Sequence, residues 1–344
     1  MCGRTSCTLS RDEWCQACSK LTFKNGKGRY TPANWTDPSD GSGYRQSANV
    51  APSSYVPVLL RNKSGVKRTT EGEEKPSSPF SIEPMIWGLI PPFYQGSNPA
   101  GHGFKTNNCR IEGIDTKNTY KPSLHNGQRC VVLSDGFYEW ETTKQSKTKQ
   151  PYFIYVPQEE GVEIWNRKSW ESDDLWTEEE GWKGPKTLKM AGLYSEWTST
   201  EGIRTRSFSV ITMESGKEFS KLHHRIPAIL ETDEQVEEWL DSGTFGYKEA
   251  LQKLNNNPSL AWHPVSSNVN YSRNQDMNLN YPVDINKKPE TGSSKFMSQW
   301  LSKGSSSPKK MKDKPQGPPP KKENTLDKWF KREKEVTKDE DEAD

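Results

Sequence analysis

Short apolar runs alternate with polar segments along the first 286 residues of the chain. Each run has the length of a β-strand and is rich in β-branched or aromatic side chains, which suit a pleated, half-buried surface. The pattern therefore predicts strands within 56–60, 85–90, 130–133, 152–156, 188–194 and 208–212.

A first helix is predicted to begin after Ser10. Ser10 and Glu13 form a capping box, in which each side chain can bond the backbone N–H of the other residue. The apolar residues that follow recur at helical spacing and would share one face: Trp14, Ala17, Cys18 and Leu21.

A second helix is predicted near Thr232, with Gln235 completing its cap. Val236, Trp239 and Leu240 would form its apolar face. Strands outnumber helices and do not alternate regularly with them, so the sequence favours the α+β class over a doubly wound α/β fold.

Composition changes sharply at residue 287. Residues 287–344 are rich in Lys, Pro, Ser and Glu and contain few side chains that could be buried, which predicts a disordered tail. A single domain over 2–286 is therefore expected. Within it, 157–187 holds nine acidic and four basic residues and is interpreted as an acidic surface insert in a solvated loop. No apolar run is long enough to cross a membrane, so no membrane partner is expected.

Cys2 is chemically unusual because removal of the initiator Met would leave it at the amino terminus. It would then carry both a thiol and an α-amine, whose reference pKa of about 7.7–8.0 leaves part of it neutral and nucleophilic. Such an amine condenses with an aldehyde to a Schiff base. The neighbouring thiol can close onto the same carbon and form a thiazolidine, because the reaction is intramolecular. Cys2 could equally be incidental.

The amino-terminal cysteines allow another interpretation. Cys2, Cys7, Cys15 and Cys18 lie within 17 residues, which suggests a zinc site. Cys15 and Cys18 fall in the predicted helix rather than on a tight turn, so buried thiols remain the alternative. We expect no metal or cofactor.

Several sequence motifs accompany these residues in a fixed order. They are Met-Cys-Gly-Arg at 1–4, Asn-Val-Ala-Pro at 49–52, Met-Ile-Trp-Gly-Leu-Ile-Pro at 85–91, Asn-Cys-Arg at 108–110, Cys-Val-Val-Leu-Ser-Asp-Gly-Phe-Tyr-Glu-Trp at 130–140 and His-His-Arg-Ile-Pro at 223–227. With 264–270 as a closing segment, this series resembles the SOS-response-associated peptidase (SRAP) family over about residues 2–286.

The resemblance implies a single domain with an open, barrel-like mixed β-sheet and a few helices. It also implies a sensor and processor of abasic sites in single-stranded DNA at replication forks. In that activity, a thiazolidine crosslink through Cys2 would hold the opened sugar and shield the lesion from cleavage.

Roles for individual residues follow from the same resemblance. The catalytic residues would be Cys2 as nucleophile, Asn108 holding its amine, Glu139 moving protons and His223 as general acid or base. The DNA-binding residues would be Arg4, Asn49, Trp87, Arg110 and Arg225, with the arginines on phosphates. Trp87 could equally belong to the core.

The tail carries a second kind of motif. Leu326, Trp329 and Phe330 resemble the box through which replication proteins bind the sliding clamp, with a weaker copy at 297–301. The Lys-rich stretch 308–314 is typical of nuclear-import patches. A nuclear monomer on chromatin and at replication forks is therefore expected, with damaged DNA and the clamp as partners.

Two other functions remain open at this point. A Cys, His and Glu set is also consistent with a cysteine-type peptidase that acts on its own amino terminus or on other peptides. The third alternative is a noncatalytic reader of modified DNA.

Overall fold

The computed structural model describes residues 3–24, 27–39, 41, 43–62, 78–142 and 149–286. All of them belong to one compact unit. Cys2 and the whole of 287–344 lie outside the described residues. The boundaries of the predicted domain and tail therefore stay a prediction.

The described residues form many short strands and few helices. The strands are β1 (Thr5–Cys7), β2 (Lys20–Lys24), β3 (Lys27–Thr31), β4 (Asn34–Trp35), β5 (Ser47–Val50), β6 (Tyr55–Arg61), β7 (Phe80–Trp87), β8 (Asn108–Arg110), β9 (Arg129–Ser134), β10 (Gly136–Trp140), β11 (Pro151–Tyr155), β12 (Trp176–Thr177), β13 (Gly181–Trp182), β14 (Leu188–Thr198), β15 (Arg204–Glu214), β16 (Arg225–Pro227) and β17 (Ala261–Pro264). The α-helices are α1 (Arg11–Ala17), α2 (Lys121–His125), α3 (Asp233–Leu240) and α4 (Tyr247–Gln252). Each predicted strand overlaps one of β6, β7, β9, β11, β14 and β15, and the α+β class is confirmed. The run predicted at 85–90 is strand only as far as Trp87, and β7 begins earlier, at Phe80.

Five strands pair in a closed ring, in the order β6, β7, β15, β14, β9 and back to β6. The β7–β15 pairing is parallel and the other four are antiparallel, so the sheet is mixed. This ring confirms the expected barrel-like mixed sheet. It closes where Ile86 and Trp87 pair with Ser207 and Phe208. Strand β4 pairs in addition with β7, and strands β8 and β16 pair with the end of β15.

A second, antiparallel sheet carries the amino-terminal strand at an interior position, in the order β17-β11-β10-β1-β5. Its strand β10 follows β9 of the ring directly, with Asp135 between them. Gly136 begins β10 because no other residue fits there. A Cβ atom at this position would lie 2.3 Å from the carbonyl oxygen of Ile154 and 2.6 Å from the ring of Phe153.

Both predicted helix starts are confirmed, because Ser10 and Thr232 each form the complete capping box. The first helix is shorter than its apolar spacing predicts. It ends at Ala17, and Leu21 lies instead on β2, opposite Tyr30 of β3. The prediction that Leu21 shares the helical face is therefore wrong, because strand pairing with β3 replaces the next helical turn.

The acidic segment 157–187 is anchored to the rest of the protein. The side chains at 178–180 are exposed, as a surface insert requires. However, Ile164 is 2% exposed and Trp170 is 9% exposed. The backbone N–H of Tyr30 also donates to the carbonyl of Glu178 over 2.7 Å. The insert is therefore a packed element with a charged outer face, rather than a freely solvated loop.

The buried apolar side chains form one large cluster around the ring. A smaller cluster joins β10, β11, the acidic insert and the segment after β17 through Tyr138, Phe153, Ile164, Val265 and Val269. In the part of the chain that the structure describes, no helix has the length and apolar character needed to cross a membrane.

Candidate functional site

The strand that follows the amino terminus runs beside the strand that carries Glu139. In β1, Thr5 lies opposite Phe137 of β10, and the backbone N–H of Tyr138 donates to the carbonyl of Arg4 over 3.0 Å. The chain before β1 therefore approaches Glu139. Cys2 itself lies outside the described residues.

Glu139 and His223 form a buried pair near this end of β1. Glu139 Oε2 lies 3.7 Å from His223 Nε2, and the two residues are 2% and 4% exposed. Burial disfavours the charged form of both groups. It raises the pKa of Glu139 to about 7 and lowers the pKa of His223 to about 4. At neutral pH the proton of the pair therefore belongs to the carboxyl group rather than the imidazole.

The backbone of Arg225 orients the imidazole of His223. The Nδ1 atom of His223 lies 3.1 Å from the amide nitrogen of Arg225 and 3.0 Å from its carbonyl oxygen. This contact fixes the ring with its Nε2 atom toward Glu139. His223 and Arg225 are therefore positioned together, at the start of β16.

Asn49 links β1 to a distant segment of the chain. Its Oδ1 accepts a hydrogen bond from Arg4 Nη1 over 3.0 Å. Its Nδ2 donates to the carbonyl oxygens of Tyr271 and Asn274. Asn49 is only 2% exposed, so in this structure it holds Arg4 in position rather than lining an open surface.

Arg110 and Arg225 lie on strands that both pair with the end of β15. Thr212 of β15 is in register with Arg110 of β8 and with Pro227 of β16. Arg110 is exposed, whereas Arg225 is 8% exposed. The guanidinium of Arg225 contacts both carboxylate oxygens of Glu112, at 2.6 and 3.0 Å. The structure thus brings two of the predicted phosphate-binding residues to one edge, with a carboxylate beside them.

The other two predicted site residues are partly or fully enclosed. Asn108 begins β8 opposite Val210 and is half-buried, and its carbonyl accepts a bond from Tyr120. Trp87 is 2% exposed, and its Nε1 donates to the carbonyl of Asn107. The Trp87 ring belongs to the core in this structure, and DNA contact by it stays a prediction.

Asp135 is a buried acid of the site that the sequence did not single out. Its Oδ2 accepts hydrogen bonds from Ser6 Oγ and from the backbone N–H of Thr8, each over 2.8 Å. Asp135 is 0% exposed, and burial raises its pKa to about 7. It fixes β1 to the β9–β10 junction. An Asp before a Gly is typical of a turn, so its burial could not be predicted from the local pattern.

The structure offers no support for the zinc interpretation among its described residues. Within these ranges, no three His, Cys, Asp or Glu side chains are arranged to hold a metal ion. Burial raises the pKa of Cys15 to about 11 and that of Cys18 to about 12, so both are neutral thiols in the protein as described. Glu112, which contacts Arg225, and Asp135, which contacts Ser6, are the two acidic residues that the structure adds to the site residues predicted from the sequence.

Comparison with known proteins defines the class. The profile of the SOS response associated peptidase (SRAP) family matches residues 1–272. The chain therefore belongs to the SRAP family. A solved protein from Bordetella bronchiseptica shares the fold, because it superposes with a TM-score of 0.52 at 16% identity, over 77% of this chain and 100% of that one.

Relatives of known name match this chain, two of them over almost its whole length. The abasic site processing protein HMCES of Rattus norvegicus is 39% identical over 97% of both chains. The protein of the same name from Xenopus tropicalis is also 39% identical, again over 97% of both. A bacterial relative, the abasic site processing protein YoqW of Bacillus subtilis, is 26% identical over 69% of this chain and 86% of its own.

Proposed function

We propose that this chain processes abasic sites in single-stranded DNA by capturing the opened sugar covalently on Cys2. The names of its relatives support abasic-site processing. The observation that carries the chemical proposal is the buried Glu139–His223 pair beside the strand that begins at Thr5. This pair supplies proton-transfer groups where the chain approaches its amino terminus.

The first step joins the Cys2 amine to the sugar aldehyde. Once Met1 has been hydrolysed off, the neutral amine attacks the aldehyde carbon, and the carbonyl electron pair moves to oxygen. The resulting carbinolamine loses one water and becomes an imine. Because the pKa of Glu139 is raised to about 7, a fraction of this carboxyl carries a proton at neutral pH and can protonate the departing hydroxyl.

The second step closes the ring. The Cys2 sulfur attacks the imine carbon, the C=N electron pair returns to nitrogen, and the thiol proton ends on that nitrogen. The balance is one aldehyde and one aminothiol giving one thiazolidine and one water, without oxidation or reduction. Closure consumes the imine, so the sugar no longer has the electron sink that strand cleavage by elimination needs.

DNA recognition in this proposal uses the backbone, because an abasic site has no base to read. Arg4, Arg110 and Arg225 would bind phosphates around the lesion, as guanidinium geometry favours. Asn49 would act through Arg4, to which it is hydrogen-bonded. A few arginines suffice, because covalent capture makes retention less dependent on noncovalent affinity.

The test is a denaturing gel of the mature protein with an abasic single-stranded oligonucleotide. Cys2→Ala should abolish the stable crosslink, since it removes the thiol, while a borohydride-reduced imine should still form through its terminal amine. Cys15→Ser is the matched control, because it removes another thiol of the amino-terminal region. A stable crosslinked band that persists in Cys2→Ala would refute the proposal.

A peptidase remains a separate candidate because a Cys, a His and a Glu are predicted for one site. Self-processing would show as loss of Met1 in a host without methionine aminopeptidase activity, measured by intact mass. Cleavage of peptides in trans would argue for the broader activity. A noncatalytic reader of modified DNA would bind abasic strands but would not form a crosslink that survives the denaturing gel.

The cellular setting is proposed from the sequence alone. Leu326, Trp329 and Phe330 of the clamp-binding motif lie outside the described residues, as does the basic stretch 308–314. We propose nuclear localisation, action at replication forks, clamp binding and a monomeric chain. A peptide covering 320–334, titrated into purified sliding clamp beside a Trp329→Ala peptide, tests the clamp partner.

A further inference from the structure

The guanidinium of Arg225 is already occupied in this structure. Its Nη1 donates to Glu112 Oε1 over 2.6 Å, and its Nη2 donates to Glu112 Oε2 over 3.0 Å. This is the two-point geometry in which a guanidinium also binds the oxygens of a phosphate. Glu112 therefore fills the position that a DNA phosphate would need.

Of the two partners, Arg225 is the fixed one. Its side chain is 9% exposed, and its Nη2 also donates to the carbonyl oxygen of Thr212 over 2.7 Å. The Thr212 carbonyl accepts a second bond from the backbone of Ile111, which ties β15 to the chain just before Glu112. The guanidinium thus keeps its place on β15 whether or not Glu112 is bound.

Glu112 is the partner that can leave. Its side chain is 51% exposed, and it lies beyond the end of β8. The next residue is Gly113, whose φ of +148° is a conformation that side-chain-bearing residues rarely adopt. A rotation of the Glu112 side chain into water would uncover Arg225 without disturbing any strand.

Charge favours exchange of one anion for another at this position. The hydrogen bond from Arg225 is the largest influence lowering the pKa of Glu112, and the nearby charge of Arg110 acts in the same direction. Glu112 is therefore ionised at neutral pH. A carboxylate and a phosphate would repel each other between these two arginines, so only one of them can bind there at a time.

We infer that Glu112 is an internal competitor for the phosphate site of Arg225, which single-stranded DNA must displace before it can bind there. This inference rests on the proposed function. In the absence of DNA, Glu112 satisfies a nearly buried guanidinium that would otherwise be costly to leave unpaired. Because DNA must first displace Glu112, the noncovalent affinity for single strands is lowered. Intact strands, on which no covalent bond can form, are therefore held weakly. The distinction between intact and abasic strands is then made by the chemistry at Cys2.

The experiment measures noncovalent binding to single-stranded DNA that carries an abasic-site analogue without an aldehyde. Binding is followed by fluorescence anisotropy at about 50 and 200 mM salt. Glu112→Gln should bind this strand about tenfold more tightly than wild type at the lower salt. The reason is that a neutral amide competes less strongly for Arg225 than a carboxylate does. Glu112→Ala, which removes the competitor altogether, should gain at least as much.

Glu218→Gln is the matched control, because it removes another exposed carboxylate from an ion pair, that with Lys221. It should change affinity much less than Glu112→Gln does. The gain from Glu112→Gln should also disappear in an Arg225→Gln background, because the two residues then no longer act on each other.

Equal affinities for Glu112→Gln and Glu218→Gln would overturn the inference, and so would a gain that survives in the Arg225→Gln background. If wild type crosslinks aldehyde-bearing strands but Glu112→Gln shows no increase in noncovalent affinity, the role of Glu112 as a competitor is refuted and the proposed function is not. A wild-type protein that neither binds nor crosslinks refutes the proposed function and this inference together.

Discussion

Glu139 Oε2 and His223 Nε2 lie 3.7 Å apart, and both side chains are almost fully buried. In the sequence, 83 residues lie between them. Burial moves their pKa values in opposite directions, to about 7 and about 4. The pair is therefore uncharged on the acid side of neutrality and becomes negative as the pH rises. A single proton that moves within the neutral range suits addition and loss of water at a carbonyl.

Replacement of Glu139 by Gln should slow formation of the crosslink about a hundredfold, because the amide cannot deliver or accept the proton. The wild-type rate should also show an inflection near pH 7, where Glu139 titrates, and the variant should lack it. Single-turnover gel kinetics between about pH 5.5 and 8.5 measure both effects. Glu141→Gln serves as the neighbouring control, and an unchanged inflection in Glu139→Gln would show that another group titrates.

The two adjacent histidines offer a matched pair of variants. His223 is buried beside Glu139, whereas His224 is exposed. We expect His223→Ala to reduce the crosslinking rate at least about tenfold, since it removes a group that contacts the proton donor. His224→Ala should stay close to wild type. Both variants are measured in the same gel assay, and their melting temperatures are recorded. Equal effects of the two substitutions on the rate would contradict the role proposed for His223.

The stability of the protein should depend on Asp135. Burial raises its pKa from 3.8 to about 7, so the folded state favours the protonated carboxyl. The stability that this preference contributes is complete below about pH 4 and is lost as the pH rises through about 7. Asp135→Asn cannot titrate and keeps an oxygen for Ser6 and Thr8. Between those pH values its free energy of unfolding should rise relative to wild type by roughly 2–4 kcal/mol.

Urea unfolding of wild type and Asp135→Asn across this pH range measures the difference directly. Glu139 titrates in both proteins, so its contribution cancels in the comparison. Parallel curves for the two proteins would mean that Asp135 does not change its protonation on folding in this range.

Local interactions explain which elements could be predicted from the sequence. The capping boxes at Ser10 and Thr232 involve residues three positions apart, so their pattern is complete in the sequence and both helices begin where it indicates. The apolar runs likewise report which segments can be buried as strands. Leu21 departs from the predicted helical face because its spacing in the sequence does not reveal the competing pairing with Tyr30.

The amino-acid sequence by itself determined the α+β class, six of the strands that the structure describes, both helix starts and, through its ordered motifs, membership of the SRAP family. The roles that it assigns to the site residues stay predictions. The tertiary structure alone decided that the ring closes through β7 and β15, that Glu112 occupies Arg225, and that Asp135 is buried under β1. Each of these depends on contacts between residues far apart in the chain. Burial and charge at such a contact are set by what the fold brings there, and no local pattern of side chains records them.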